Sequence, residues 1–299
     1  MTDDPVKTPP PVKKPRRRLL WWAIGGLALL LAANALFSDL DVPGEDRIGL
    51  VRVEGVIVDA KDTVSELKRF GDSSSIKAIV LRIDSPGGGV VPSQEIHDAV
   101  RRVRTKQNKT VVASMGTVAA SGGYYIAAAA DRIVANPGTL TGSIGVIMEM
   151  VNLQGLLNKV GVEGVVIKSG RYKDVGSPFR KMEPEDRRIL QSVMDDVHEQ
   201  FIEAVAEGRS LEVADVRPLA DGRIFTGRQA VEADLVDELG DLDDAVRIAA
   251  DMVGITGEPT LVEPKKRFSI REIIDSRVQG LLPKFDFQPG IQLKYLMAF

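Results

Sequence analysis

Ser121 stands among small residues, in Gly116-Thr117-Val118-Ala119-Ala120-Ser121-Gly122-Gly123-Tyr124-Tyr125. The β-branched run Thr110-Val111-Val112-Ala113-Ser114 before it reads as a buried strand. Tyr124 to Ala130 after it has the pattern of a small-residue helix. A turn from strand to helix lifts a hydroxyl clear of the sheet. It also aims backbone N–H groups, and the positive end of a helix, at whatever docks there. A nucleophile needs both. A tight turn that only packs against a neighbour would use the same residues, so Ser121 alone leaves both readings open.

A nucleophilic serine needs a base. The chain has no cysteine and two histidines, His97 and His198. His97 sits beside Glu95 and Asp98, and His198 beside Asp195, Asp196 and Glu199. Both are expected to face solvent, and neither has a metal-ligand spacing. The pairs Asp195-Asp196 and Asp243-Asp244 read as solvated helix faces. A lysine serves as base if it is desolvated enough to be neutral near pH 7. Lys173, in Ser169-Gly170-Arg171-Tyr172-Lys173-Asp174-Val175-Gly176-Ser177-Pro178, is the candidate, with Arg171, Arg180 and Lys181 nearby. A solvated loop lysine is the plainer reading. Ser143, in Thr139-Leu140-Thr141-Gly142-Ser143-Ile144-Gly145, could orient the lysine by a hydrogen bond.

Asp84-Ser85-Pro86-Gly87-Gly88-Gly89 joins a buried strand to a helix. Glycines let the backbone approach a ligand and turn N–H groups inward. The N–H groups of Gly88 and Gly122 could both point at a developing oxyanion. A phosphate cradle is the rival use, but no Gly-Lys-Ser/Thr follows, so the pattern of a nucleotide loop is absent.

These segments must be held by a layered scaffold. Strands are expected over Ile48–Val53, with Val56-Ile57 after the turn at Gly55, and over Ala78–Ile83, from Thr110, Arg132–Ala135, Gly164–Lys168 and Gly222–Phe225. Helices are expected over Asp62–Phe70, from Pro92, over Leu153–Val160, over Pro184–Gly208, from the Thr226 cap to Ala233, and over Leu242–Val253. Ile189, Val193, Val197, Phe201 and Val205 give the long helix its apolar stripe. Strands alternating with helices indicate an α/β domain with largely parallel sheets.

The 299 residues allow one large domain or two modest ones, and a hydrophobic share of 44% can bury a sizeable core. A net charge of -3 gives no argument for nucleic-acid binding. Without cysteine there is no disulfide framework. Residues 1–18 are Pro-rich, then basic at Arg16-Arg17-Arg18, and are expected to be a disordered cytoplasmic segment. Residues 19–37 are apolar except for Gly25, Gly26 and Asn34, long enough for one transmembrane helix. Basic residues before it and Asp39, Asp41, Glu45 and Asp46 after it put the rest of the chain outside. Ala33-Asn34-Ala35 also offers a signal-peptide cleavage site. Residues 38–47 read as a linker and 48–262 as the main domain. Residues 263–299 read as a short helix near Ile270–Gln279 and an extended tail, whose apolar end Ile291–Phe299 could lie in a neighbour's groove as a product-like peptide.

Taken together, the anchor and the ordered motifs around Gly88, Ser121, Ser143 and Lys173, followed by Gly222-Arg223-Ile224-Phe225-Thr226-Gly227, resemble the short, single-repeat form of the signal peptide peptidase A family. The resemblance covers Ile48 to Val253. It implies an α/β fold of Clp-protease/crotonase-like repeated β-β-α units and a membrane-bound serine peptidase without cofactor or metal. Matched by position, Ser121 is the nucleophile, Lys173 the general base and Ser143 its orienting partner. Gly88 and Gly122 are the oxyanion-hole donors. The resemblance further implies ring-shaped homo-oligomers at the cytoplasmic membrane, catalytic domain outside, that degrade cleaved signal peptides and other apolar peptides. Ser121 and Lys173 could meet within one chain or between subunits. Two alternatives stand beside it: a crotonase-like acyl-coenzyme A enzyme, and a non-catalytic membrane scaffold.

Overall fold

The sheet forms where the sequence is richest in β-branched residues. The computed structural model describes residues 25–26, 46–264 and 294–297. In chain order its elements are β1 (Arg47–Glu54), α1 (Lys61–Asp72), β2 (Ile76–Ser85), β3 (Gly87–Gly89), α2 (Val90–Lys106), β4 (Thr110–Ala120) and α3 (Gly122–Ala127). Next come β5 (Arg132–Ala135), β6 (Leu140–Gly142), α4 (Gln154–Lys159), α5 (Pro184–Arg209), α6 (Val213–Val216) and a 3-10 turn, Arg217–Leu219. The last are β7 (Ile224–Thr226), α7 (Gly227–Glu232), β8 (Glu238–Leu239), α8 (Leu242–Met252), β9 (Thr260–Val262) and β10 (Lys294–Leu296).

The main sheet runs β7-β6-β4-β2-β1-β9, with β5 also on β4 and β8 on β5. Its pairings are parallel except β6 with β7. The period-2 alternation of β1, β2 and β4 divides the core between two faces. Ile48, Leu50, Ala78, Val80 and Val112 pack against Ala245, Val246 and Ala249 of α8. Val51, Val53, Leu81, Ile83, Ala113 and Met115 face the other way, into the cluster that also buries α1, α2, α3 and the second half of α5. Gly49 is required in β1, because a Cβ there would stand 2.5 Å from the Phe70 ring.

The long strand β4 is shared. Val112–Met115 pair with β5, whereas Val118–Ala120 pair with β6. The strand therefore delivers its last residue, and Ser121 after it, beside the segment that carries Ser143. The helix α5 starts at a capping box of Glu183 and Asp186, with Pro184 in its first turn, and buries Val197, Phe201, Ile202 and Val205.

Three expectations are corrected. Val165-Val166-Ile167 forms no strand; it has β propensity but no partner, and its side chains are exposed. His97 is buried, at 4% exposure, with its ring 4.7 Å from that of Tyr125. His198 is half-buried, and its Nε2 lies 2.7 Å from the Ala220 carbonyl. The expected span at 19–37, apart from Gly25 and Gly26, and the expected helix at 270–279 lie outside the described residues. Among the described residues, no helix is long and apolar enough to cross a membrane.

Candidate active site

The end of β4 forces Ser121 into an uncommon conformation. Its N–H donates to the Gly142 carbonyl (2.8 Å), while its carbonyl already accepts from Tyr125 in the first turn of α3. Satisfying both bonds leaves Ser121 at φ 53° and ψ -117°, a region that favours glycine. Strain of this kind persists only where the surroundings enforce it, and it gathers at functional sites. Ala119, Ala120, Gly122 and Gly123 are buried around it. Ser121 is 1% exposed, and its Oγ has no hydrogen-bond partner. A buried hydroxyl without a partner is costly, so it too calls for a function.

Gly88 comes from β3. Ile57 donates to the Gly87 carbonyl (2.9 Å) and accepts from the Gly89 N–H (2.8 Å). Those bonds use the peptide groups on either side of Gly88 and turn its own N–H and C=O the other way. On that side lies β10, antiparallel, with Tyr295 opposite Gly88 and Leu296 opposite Gly87. Met297 N–H donates to the Pro86 carbonyl (2.9 Å), and Lys294 exchanges two bonds with Ile147 (3.1 and 3.3 Å). Antiparallel ladders alternate, so the Tyr295 N–H and C=O face Gly88. A methyl at Gly87 would stand 2.0 Å from the Tyr295 oxygen, and one at Gly122 would stand 3.2 Å from it. The chain's own tail thus runs as a peptide strand over Gly87 and Gly88, beside Ser121. Within the one chain, Lys294–Leu296 occupy its own groove.

The Tyr295 side chain is fully buried. Its ring stacks on Tyr125 (5.2 Å between centroids) and packs on Phe201 (4.7 Å), and its hydroxyl donates to the Val197 carbonyl (3.1 Å). The sequence reading missed this aromatic pocket, since its walls come from α3 and α5, about 75 positions apart. A cavity of about 660 Å³ continues from the groove, lined among others by Ser143, Met148, Met182, Met194, Leu296 and Met297.

Ser143 directly follows the residue that binds the Ser121 N–H. It is buried at φ 50°, and its own N–H donates to the Arg223 carbonyl (2.8 Å). Lys173 makes no bond to this centre among the described residues. It lies in an exposed turn, and no hydrogen bond joins it to Ser121 or Ser143. One chain therefore assembles Ser121, Gly122, Gly88 and Ser143, with Lys173 not bonded to them. Neither histidine replaces it, because the Ser121 hydroxyl has no partner among the described residues. Among the described residues, no cluster of three or more His, Cys, Asp or Glu could hold a metal ion.

Comparison with known proteins bears on this site. A family model described as peptidase family S49 matches residues 103–256, and one described as Clp protease matches residues 51–138. A Synechocystis sp. protein described as a candidate protease is 47% identical over 218 residues, covering 73% of this chain and 77% of that protein. An Enterococcus faecium protein described as a candidate signal peptide peptidase SppA is 37% identical over 213 residues, covering 67% of this chain and 62% of that one. Protease 4 of Salmonella typhi is 32% identical over 270 residues, covering 87% of this chain and 41% of that one. The aligned part is thus less than two thirds of the last two relatives.

Proposed function

The chain belongs to peptidase family S49 and is a serine peptidase with a Clp-protease-like α/β fold, and from that premise we propose that Ser121 is its nucleophile and Lys173 its general base. The acyl-coenzyme A and inactive-scaffold alternatives fall away with the family. The observation that carries the proposal is the Ser121 hydroxyl: buried, without a partner, on a strained residue, beside a peptide strand already laid on Gly88.

The chemistry is acyl transfer. Neutral Lys173 takes the Ser121 proton, and the alkoxide attacks a peptide carbonyl. The N–H groups of Gly88 and Gly122 hold the resulting oxyanion, each worth about 3 kcal/mol in the transition state. The Lys173 ammonium then protonates the leaving amine, and water hydrolyses the acyl-enzyme. β10 supports an extended binding mode: a substrate adds as an antiparallel strand between Gly87–Gly89 and Ile147, as the tail does.

The lysine comes from a second copy of the chain. Three observations favour this reading. Lys173 is exposed, with no partner for its ammonium among the described residues. Ser143 lines an open cavity. Exposed Val151, Val160, Val165, Ile167 and Phe179 surround Lys173 in sequence and suit a surface that another subunit covers. A ring of copies would close each site in turn.

The apolar segment 19–37 anchors this assembly, with its active sites at the outer face of the cytoplasmic membrane. Remnant signal peptides, extended and apolar, accumulate there and fit the groove. A fluorophosphonate probe tests the proposal: labelling should vanish in Ser121→Ala and in Lys173→Ala. Undiminished labelling in Ser121→Ala would remove Ser121 from the chemistry.

A further inference from the structure

Four charged side chains around Lys173 form one closed network. Asp174, whose side chain is 8% exposed, accepts a fork from Arg180: Nε to Oδ2 (2.9 Å) and Nη2 to Oδ1 (3.0 Å). It also accepts Lys168 Nζ at Oδ1 (2.6 Å). The remaining Arg180 nitrogen, Nη1, donates to Oδ2 of Asp186, whose side chain is 4% exposed. The same Asp186 oxygen accepts the Glu183 N–H (3.0 Å), which closes the cap of α5. Arg180 hydrogen bonds hold both carboxyls below the usual carboxylate range. Two cations balance two carboxylates, and nothing in the network is left to pair with Lys173.

Lys173 is the residue before Asp174. Its turn has local backbone bonds only: Lys173 to Gly170 (3.2 Å), Val175 to Tyr172 (3.2 Å) and Ser177 to Asp174 (3.0 Å). These do not fix a turn in space, and the longer bond next to it, Leu153 N–H to the Pro178 carbonyl (2.8 Å), leads to α4, which buries no residue. The polar path from Lys173 to a core-packed element runs through Asp174, Arg180 and Asp186 into the first turn of α5. Arginine suits this place, since a planar fork can hold one carboxylate bidentately and keep a third donor for another.

We propose that Arg180 is a positioning residue for Lys173: it fixes the lysine turn to the start of α5 and occupies Asp174, so that the neighbouring ammonium stays unpaired. This rests on the reading of Lys173 as the base. Misplacing a catalytic group by about 1 Å lowers turnover by about a hundredfold. Substrate binds elsewhere, at Gly87–Gly89 and Ile147, so the loss falls on kcat rather than KM.

The test is steady-state kinetics of the full chain in its native assembly. Arg180→Met is expected to lower kcat roughly 10- to 100-fold with KM within about twofold. Arg180→Lys, which keeps a cation but not the fork, should fall between Arg180→Met and the parent. If Arg180→Met does not fold, Asp186→Asn, close in shape, cuts the same path and should lower kcat in the same selective way. An inactive Lys173→Ala beside an Arg180→Met with kcat within threefold of the parent overturns the role of Arg180 alone. A rise in KM equal to the fall in kcat, in either network variant, also overturns it. An active Lys173→Ala overturns the lysine reading, and this inference with it.

Discussion

Tyr295 lies antiparallel to Gly88, so the chain's own tail covers the strand that would bind a substrate. A tethered peptide acts at an effective concentration on the order of millimolar. Deleting Lys294–Phe299 should therefore raise the rate of fluorophosphonate labelling and the turnover of short peptides several-fold. Labelling time courses on the two full assemblies check this. An unchanged or lower rate would make β10 a structural strand, in keeping with the buried Tyr295 ring, rather than an occupant that substrates displace.

Ser121 is expected to cost the protein stability. Its hydroxyl is buried without a partner, and its φ of 53° suits glycine. Ser121→Gly removes both penalties and should stabilise the fold by roughly 1–3 kcal/mol. Ser121→Ala removes only the first and should gain about 1 kcal/mol. Denaturant unfolding of the inactive variants measures both, and the order parent, alanine, glycine is the expected one.

Gly87 is exacting for a different reason. Its φ is +100°, and a Cβ would stand 2.0 Å from the Tyr295 oxygen, on the path proposed for a bound peptide's backbone. Gly87→Ala should displace the tail and raise peptide KM at least tenfold, about 1.4 kcal/mol. Gly138→Ala, where nothing lies within 4 Å, is the control. It should leave KM unchanged and stability within about 0.5 kcal/mol.

His97 makes stability depend on pH. Burial against Tyr125 lowers its pKa, and the hydrogen bond and charge of Asp98 only partly oppose this. Arg101 also lowers it and Glu207 raises it. A depressed folded value means that the stabilisation is complete above the unfolded value of about 6.5 and is lost as pH falls through the folded one. The melting temperature should fall between about pH 8 and about pH 5. His97→Phe, which keeps a ring on Tyr125, should flatten that fall.

The sequence made the scaffold of the site legible because its signals are local. A β-branched run from Thr110 to Ser114, two glycines after Ser121 and a helix pattern beyond them are contained within about twenty residues. The expected elements β1, β2, β5 and α5 stand close to their expected bounds for the same reason, whereas β4 runs past Ser114 to Ala120. Where the outcome depended on a distant partner, local pattern failed. Val165-Val166-Ile167 has strand-forming residues but no strand to join. His97 has charged neighbours in sequence, yet it falls on the buried face of α2 with Ser93, Ile96 and Val100, and Tyr125 covers it. Tyr295 looked like part of an apolar end; its partners Gly88, Tyr125 and Phe201 are supplied by three separate elements.

Lys173 is marked by its motif, and within one chain it makes no hydrogen bond to Ser121. The most direct measurement is complementation. Ser121→Ala and Lys173→Ala chains, each inactive alone, are assembled together and assayed for peptide cleavage. If Lys173 of one copy serves Ser121 of another, the mixed assembly regains a measurable fraction of parent activity. If mixed assemblies form and remain inactive, the base does not cross between subunits and the account is contradicted.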